Sequence, residues 1–389
     1  MSAVWKKSIN RRRIVAALFV LLLAAPGTAA FFKPADIGAI AAIENRAAAR
    51  WPSWPQRLDD INGYARQVDA YLEDRFGFRE RLIAVNLWLT RQINLSTSGR
   101  DAIIGKEGWL FYADGGALEM HMGRAPFRSG QAAAWLDGAE RLQRDVADRG
   151  GAFALMIPPQ KASVYSEYMP DFIKAGRGAS RLDILTEGAP ARGLALADAR
   201  ARLLKKKDDA PLYYQSDTHW TAFGAYEGYL AFMDAVNNKL GVSAPVLPPD
   251  RLKFGTRSFS GDLARMLGQQ EQFSETAPSL AIRDQTRFED GEVENFAYGS
   301  FKTRIITMDA PERPSLLIIG DSFSYAMLPY LRESFSRIVF THHHTGTFDR
   351  AVLDEYPADV VLLQMVEVML IHPLPTPAAP AGDTAAAVN

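Results

Sequence analysis

"SLLIIGDS", residues 315–322, is the stretch that decides the fold of this chain. A short run of large aliphatic residues ends at Gly320, which predicts a buried strand followed by a sharp turn. An apolar-periodic helix is predicted just after it, from about Tyr325 to Phe335. Ser322 is therefore expected at a strand-to-helix turn, at the carboxyl end of a parallel strand, where ligand sites of open α/β sheets gather.

Strands and helices alternate along the rest of the chain. Strands are predicted at 152–159, 211–214 and 337–344, helices at 130–149, 190–207 and 221–240, and a β-hairpin-like element at 99–116. Residues 358–370 are a last apolar run. This alternation predicts an α/β fold with a mostly parallel sheet that is covered by helices on both faces. Residues 250–310 break the rhythm and are predicted to form an irregular, partly β insertion within an α/β domain of residues 99–372.

The first 32 residues have the pattern of an export signal. Five basic residues precede an apolar stretch and no acidic residue accompanies them: Lys6, Lys7, Arg11, Arg12 and Arg13. Either a cleaved signal peptide or an uncleaved signal anchor fits, and both place the rest of the chain outside the cytoplasm. Residues 33–98 are predicted to be helical, and the Pro/Ala-rich residues 373–389 to be a disordered tail.

The composition of the chain limits which partners it can bind and which kinds of active site it can have. The 389 residues include 44 Lys+Arg and 45 Asp+Glu, so the formal net charge is −1, and there is no cysteine. A near-zero charge does not indicate a nucleic-acid partner. The lack of cysteine excludes a thiol nucleophile, disulfides and zinc–thiolate sites. Because no thiol is present, the nucleophile has to be a hydroxyl. We expect no metal and no resident cofactor.

Two turns carry residues that suit acyl transfer. Ser322 follows one predicted strand, and "SDTHW" (216–220) follows the strand predicted at 211–214. The first N–H groups of a helix after Ser322 suit a developing oxyanion. For each turn alone, a helix-capping role remains the alternative. Together, the two turns favour a triad of Ser322, His219 and Asp217, because a carboxylate can orient the histidine that takes the serine proton.

Several motifs resemble one known family. "GDSF" (320–323) is similar to the first motif of SGNH hydrolases, but here Asp-x-His precedes the serine, with His219 lying 103 positions before Ser322. That permuted order resembles the AlgX/AlgJ family of periplasmic alginate O-acetyltransferase proteins with an SGNH-like, flavodoxin-like domain. Four further segments are similar to that family: "GKEGWLFY" (105–112), "IPPQKASVYSEYMP" (157–170), "YYQSDTHWTAFGAY" (213–226) and "SGDLARML" (260–267). We find no carbohydrate-binding module like that of AlgX, so AlgJ is the nearer likeness.

The resemblance implies a periplasmic domain that acetylates an exopolysaccharide. The N-terminal segment would anchor it in the inner membrane, or the domain would be secreted after signal cleavage. A membrane-bound O-acyltransferase (MBOAT) partner would deliver the acetyl group. Ser322 would be the nucleophile, His219 the general base and Asp217 the orienting acid of a ping-pong reaction. An acetylesterase with the same triad and a non-catalytic glycan-binding scaffold remain alternatives.

Three further residues are candidates for substrate contacts. Lys161 can bind the acetyl donor or an acidic sugar, although a solvated lysine is the ordinary alternative. Trp220 can stack on a sugar ring or anchor the helix that follows it. Tyr325 can reach the site or simply pack.

Overall fold

The computed structural model describes residues 49–55, 61–74 and 102–377, except residues 115, 174, 177, 299, 344–346 and 375, together with Phe19. The predicted signal or anchor (1–32) lies outside these residues, as does most of the predicted helical region 33–98. No helix in the described part of the chain is long and apolar enough to cross a membrane. The chain divides into two compact units, Met1–Gly99 with Ala264–Gln272, and Arg100–Leu263 with Phe273–Asn389.

The elements below are numbered along the described residues. The helices are α1 (Ile61–Asp74), α2 (Ala117–His121), α3 (Gln131–Ala147), α4 (Lys161–Val164), α5 (Arg181–Gly188), α6 (Arg200–Lys206), α7 (Ala222–Asp234), α8 (Asp262–Met266), α9 (Leu328–Leu331) and α10 (Ala351–Glu355). The strands are β1 (Ala102–Ile104), β2 (Leu110–Tyr112), β3 (Ala152–Met156), β4 (Ala195–Ala197), β5 (Leu252–Phe259), β6 (Glu275–Ile282), β7 (Phe288–Tyr298), β8 (Phe301–Met308), β9 (Ser315–Gly320), β10 (Arg337–His342), β11 (Thr347–Phe348), β12 (Val360–Gln364) and β13 (Thr376–Pro377).

A seven-stranded sheet forms the centre of the second unit, in the order β4-β3-β12-β9-β10-β8-β7. The first five strands of that order are parallel, and β8 and β7 continue the sheet as antiparallel strands. Strand β9 lies between two parallel neighbours, with Leu317 opposite Val339 of β10 and Val361 of β12. The prediction of a mostly parallel sheet is confirmed.

Both faces of the sheet are covered. Successive residues of β9 point to opposite sides, so Leu316 and Ile318 join one apolar cluster while Leu317 and Ile319 join the other. Buried residues of α6, α7 and α9 belong to the first cluster, and those of α3, α5 and α10 to the second. A strand that is buried on both faces consists of an almost continuous run of aliphatic residues. For this reason residues 315–320 can be predicted as a buried strand from the sequence.

Three local predictions differ from the structure. The helix predicted at 190–207 is interrupted, because Ala195–Ala197 pair with β3 as the edge strand β4. The strand predicted at 211–214 is absent from the described residues, where Tyr213 makes only an isolated bridge with Trp220. The predicted insertion at 250–310 is more regular than expected, because β5 and β6 pair as a hairpin and β7 and β8 extend the central sheet.

Ordered structure continues beyond the predicted domain end at 372. Leu374 is buried in the second apolar cluster, and Thr376–Pro377 pair with Thr347–Phe348 as a short parallel sheet. The described part of the predicted tail therefore belongs to the domain. Residues 378–389 lie outside the described residues.

Candidate active site

Ser322 stands at the carboxyl end of β9, as predicted. It is the first residue of a 3₁₀-helix, Ser322–Met327, and its side chain is exposed. The turn before it is tight, because a Cβ on Gly320 would lie 2.4 Å from Ser324 Oγ. Asp321 caps the new helix, with its Oδ1 accepting from the N–H of Phe323 at 3.0 Å. The N–H of Ser322 itself binds no other described residue.

The carboxylate of Asp321 also fixes this turn to the neighbouring strand. Its Oδ1 accepts from Gln364 Nε2 at 2.8 Å, and its Oδ2 accepts from the N–H of Val366 at 2.7 Å. In return, Gln364 Oε1 accepts from the N–H of Asp321 at 3.0 Å and from Ser324 Oγ at 2.5 Å. Because Gln364 is fully buried at the end of β12, the position of Ser322 is set by two adjacent strands.

A second turn brings His219 to the same edge. The bridge between Tyr213 and Trp220 closes it, and the N–H of Tyr214 donates to the carbonyl of His219 at 3.2 Å. Thr221 then caps α7, its hydroxyl oxygen accepting from the N–H groups of Phe223 and Gly224. The residue that caps this helix is thus Thr221, which leaves Asp217 and His219 available for another task.

Ser322, His219 and Asp217 form a continuous hydrogen-bonded chain. His219 Nε2 lies 2.7 Å from Ser322 Oγ, and His219 Nδ1 lies 2.7 Å from Asp217 Oδ1. The same carboxylate oxygen accepts from the backbone N–H of His219 at 2.9 Å. These contacts assign the Nδ1 proton to the bond with Asp217 and leave the Nε2 lone pair facing the serine hydroxyl. The arrangement can remove the hydroxyl proton during attack by Ser322.

The charges around Asp217 and His219 favour the protonated form of the histidine. Burial raises the pKa of the Asp217 carboxyl, but hydrogen bonds from His219, the charge of His219 and the N–H of Asp262 outweigh burial and lower it to about 2. Burial opposes the charged form of His219, yet the hydrogen bond and charge of Asp217 raise its pKa above the ordinary 6.5. Asp262 and Asp321 add smaller contributions in the same direction. The site therefore stabilises the imidazolium that proton transfer creates.

The structure places Lys161 under the histidine turn instead of in contact with substrate. Its side chain is buried, and its ammonium donates to the carbonyl oxygens of Tyr214 at 2.9 Å, Gln215 at 3.1 Å and Asp217 at 2.7 Å. Three donors meet three acceptors, so no proton remains for an acetyl donor or a sugar. Burial lowers the pKa of Lys161 to about 8, against the opposing charges of Asp217 and Asp262. The predicted substrate contact is corrected to a role in holding the turn.

Trp220 and Tyr325 have different surroundings. Trp220 is only 1% exposed, packs in the first apolar cluster and donates from Nε1 to the carbonyl of Phe323 at 3.1 Å. Stacking on a sugar ring is therefore wrong for this residue, and the alternative of a core anchor holds. Tyr325 is 38% exposed, and its hydroxyl lies 2.9 Å from His342 Nε2. In a 3₁₀-helix, residues three apart share a face, so Tyr325 stands on the same face as Ser322.

Two acidic residues at the site had no predicted role. Glu275 accepts from the N–H groups of Gln215 and Ser216 at 3.0 and 2.8 Å and from Ser216 Oγ at 2.5 Å. Asp262 accepts from the N–H of Thr218 at 2.8 Å. Both come from the stretch 250–310, whose mixed polar sequence has no periodicity to single them out. In the sequence, residues 260–262 stand out only through the similarity of "SGDLARML" (260–267) to the AlgX/AlgJ family.

A metal ion is the other occupant to consider for this cluster. Among the described residues, Asp217, His219 and Asp262 place one nitrogen and two carboxylate oxygens within 4.8 Å of one another. The nitrogen nearest both carboxylates is Nδ1 of His219, which carries the proton donated to Asp217. Because a ligating nitrogen needs its lone pair, the hydrogen bonds observed suit proton transfer better than metal binding.

Comparison with known proteins identifies the family of this chain. Residues 102–359 match the family described as the SGNH hydrolase-like domain of acetyltransferase AlgX. This chain belongs to that family. The matched residues include both turns and four of the five parallel strands, and the match ends just before β12. The predicted resemblance to the AlgX/AlgJ family is confirmed.

Individual relatives are more distant. The "Probable alginate O-acetylase AlgJ" of Pseudomonas aeruginosa is 26% identical over 228 residues, which cover 56% of this chain and 54% of that protein. The protein of the same name from Pseudomonas putida is 24% identical over 231 residues, covering 58% of this chain and 57% of its own. This AlgX-family chain therefore aligns with little more than half the length of either relative.

Solved structures support the fold. PatB1 of Bacillus cereus superposes with a TM-score of 0.53 at 14% identity, covering 69% of this chain and 97% of that chain. A DHHW family protein from Eubacterium siraeum gives a TM-score of 0.51 at 16% identity, covering 71% and 93%. At these identities the likeness establishes a shared fold and nothing finer.

Proposed function

We propose that this AlgX-family protein is an O-acetyltransferase that moves acetyl groups to hydroxyls of an exopolysaccharide through an acetyl-serine at residue 322. The observation that carries the proposal is the position of His219, with Nε2 at 2.7 Å from Ser322 Oγ and Nδ1 at 2.7 Å from Asp217 Oδ1. The named AlgJ relatives support an acyl transfer to an alginate-like polymer.

In the first half-reaction, Ser322 Oγ attacks the carbonyl carbon of an acetyl donor while His219 Nε2 takes the hydroxyl proton. The oxyanion of the tetrahedral intermediate faces the start of the 3₁₀-helix, where the N–H of Ser322 is one donor for it. Collapse of the intermediate breaks the bond to the leaving group, which receives the proton from His219. Asp217 keeps the imidazole in the correct tautomer throughout and stabilises its charged form.

In the second half-reaction, a sugar hydroxyl replaces the donor's leaving group. Its oxygen attacks the acetyl-serine while His219 takes its proton, and the serine oxygen recovers that proton as it leaves. Tyr325, on the same helical face as Ser322, is a candidate contact for the incoming sugar. The ping-pong order follows because donor and acceptor use the same nucleophile in turn.

A mostly apolar pocket lies beside the two turns and suits the small acyl group. Thr218 and Phe323, the immediate neighbours of His219 and Ser322, contribute to its wall together with Phe111 and Val366. We place the acetyl methyl on this side of the nucleophile, because contact with apolar walls removes the methyl surface from water.

The test is acetyl transfer by the full-length protein in detergent. The donor is 4-nitrophenyl acetate, and the acceptors are alginate oligosaccharides or, as a matched control, neutral glucan oligosaccharides. We expect acetylated alginate oligomers from the wild type and a loss of at least about a thousandfold in Ser322→Ala. Undiminished acetylation by Ser322→Ala would exclude catalysis by this serine and leave a glycan-binding scaffold.

An acetylesterase is the second candidate, because the side chain of Ser322 is exposed and water has access to an acetyl-serine there. The two activities differ only in the acceptor. If alginate oligosaccharides do not change the rate or the amount of acetate released, the result favours the esterase. Acetylated oligomers formed at the expense of acetate favour the transferase.

We further propose a periplasmic location, with the basic and apolar residues 1–32 as a membrane segment and an MBOAT partner as the source of acetyl groups. The support is the charge pattern of that segment. Alkaline phosphatase fused after the chain's last residue should be active in cells. A cytoplasmic location predicts an inactive fusion.

A further inference from the structure

We propose that Asp262 is a positioning residue of this site, holding Asp217 through its backbone and placing a second carboxylate beside His219. The inference rests on the proposed function, since it adds a fourth member to the Ser322–His219–Asp217 arrangement. A purely structural role for Asp262, such as capping the short helix α8 or shaping the turn, does not require its carboxylate to face the imidazole.

Asp262 makes contacts through three of its groups, the backbone N–H and the two carboxylate oxygens. Its backbone N–H donates to Asp217 Oδ2 at 2.9 Å, which fixes the carboxylate oxygen that His219 does not use. Its Oδ1 accepts from the N–H groups of Thr218 and Leu263 at 2.8 and 2.7 Å. Its Oδ2 lies 3.8 Å from His219 Nδ1. Two carboxylates from distant parts of the chain therefore approach the same nitrogen.

Gly261 shows that this approach depends on close backbone packing. A Cβ at that position would lie 2.3 Å from Asp217 Cβ and 2.6 Å from the carbonyl oxygen of Ser216. The N–H of Gly261 donates to Ser216 Oγ at 3.0 Å. Because any larger residue would separate the two segments, the Ser-Gly-Asp sequence seats Asp262 directly against the turn that carries His219.

The charged groups around His219 indicate how the carboxylate of Asp262 acts on it. Asp217 and Asp262 face Nδ1, and Asp321 acts from the serine turn. The ammonium of Lys161, bonded to the carbonyl oxygen of Asp217, interacts electrostatically with both carboxylates. Burial and the charge of Asp217 raise the pKa of the Asp262 carboxyl, while His219 and Lys161 act in the opposite direction. An ionised Asp262 stabilises the imidazolium that forms in each half-reaction, so removing that charge lowers the pKa of His219.

The experiment measures sulfonylation of Ser322 by phenylmethylsulfonyl fluoride in the full-length protein, followed by intact mass between about pH 5 and pH 9. Serine attack needs neutral His219, so the rate rises with pH around the histidine pKa. Asp262→Asn and Asp262→Ser both keep an oxygen for the N–H groups of Thr218 and Leu263 but lose the charge. We expect the midpoint of the acid limb to move down by about one pH unit in both variants.

Glu275→Gln is the matched control. Glu275 stabilises the same turn by accepting hydrogen bonds from the N–H groups of Gln215 and Ser216. Its substitution therefore weakens the turn without removing a carboxylate next to His219. We expect its midpoint to stay at the wild-type value. Thermal melting of each variant identifies those that fold, and having two Asp262 variants guards against the failure of one.

The outcomes separate the two proposals. If the wild type is sulfonylated at Ser322 and a folded Asp262 variant keeps the wild-type midpoint, Asp262 has no electrostatic role and the inference is overturned while the proposed function stands. If Glu275→Gln shifts as far as Asp262→Asn, the effect is general loosening of the turn and the inference fails as well. If the wild type is not modified at Ser322, the proposed function itself fails.

Discussion

The indole of Trp220 donates its Nε1–H to the carbonyl oxygen of Phe323, 3.1 Å away. Trp220 is the residue after His219, and Phe323 is the residue after Ser322. Their rings also meet edge to face, with centroids 5.2 Å apart. One buried contact thus joins the two turns and holds the imidazole at a fixed distance from the hydroxyl.

Trp220→Phe should damage both stability and catalysis. The substitution removes the bond to Phe323 and part of a fully buried ring, at a cost of about 2–4 kcal/mol in the free energy of unfolding. We expect the rate of acetyl-serine formation to fall at least about tenfold in the folded variant, because the turns lose their common anchor.

Trp135→Phe is the control for that experiment. Trp135 is also buried, but it lies in the apolar cluster on the other face of the sheet, and its Nε1 has no hydrogen-bond partner among the described residues. Its loss should lower the melting temperature and leave the rate constant near that of the wild type. Equal kinetic losses in the two variants would show that Trp220 acts only through overall stability.

Lys161→Met should unfold the histidine turn locally. Three buried carbonyl oxygens lose their donor, and the cation that balances Asp217 and Asp262 disappears, at a cost of about 3–5 kcal/mol. Lys239→Met, which removes one bond to the carbonyl of Leu196 at an exposed position, should cost less than about 1 kcal/mol. Urea denaturation of both variants measures the difference, and similar losses would contradict the assigned role of Lys161.

Gly261→Ala tests the packing between Ser-Gly-Asp and the histidine turn. The added methyl would meet Asp217 and Ser216 at distances that real atoms do not adopt, so the segments must separate. We expect a loss of about 1–3 kcal/mol in stability and a larger loss in sulfonylation rate. At Gly291 of β7 nothing lies within 4 Å of an added Cβ, so Gly291→Ala should change neither property. A normal rate in folded Gly261→Ala would show that the close approach is not needed.

Asp217 should make stability depend on acid pH. Its pKa is about 2 in the folded chain against an ordinary 3.8, so its stabilising contribution is present above about pH 4 and is lost as the pH falls towards 2. The contribution is about 2 kcal/mol. Stability measured between pH 5 and pH 2 should therefore fall more steeply for the wild type than for Asp217→Asn. Parallel curves for the two proteins would contradict this, and Ser322→Ala should follow the wild type.

The centre of the sheet and the two turns of the candidate site could be predicted from the sequence because their signals are local. Four aliphatic residues before Gly320 can only be a buried segment, and the same short range shows the polar turn and the helix after it. Strand β4 was missed because its Ala and Leu residues favour helix, and it becomes a strand only through pairing with β3.

The supporting residues of the site were not accessible in the same way. Lys161 looked like a solvated lysine, since lysines are rarely buried, and its three carbonyl partners come from a turn more than fifty positions away. Asp262 and Glu275 lie in a stretch without periodicity, and each acquires its role from contact with the turn at 215–219. Their contacts with the turn form only in the folded chain.

Peptide mapping after a brief exposure to 4-nitrophenyl acetate tests the central claim most directly. The full-length protein is quenched in acid, and the acetylated residue is located by mass spectrometry. We expect one acetyl group, on Ser322, in the wild type, and almost none in His219→Gln, because the hydroxyl then has no base at 2.7 Å. Acetyl groups scattered over lysines with an unmodified Ser322, or equal labelling of Ser322 without His219, would contradict the account.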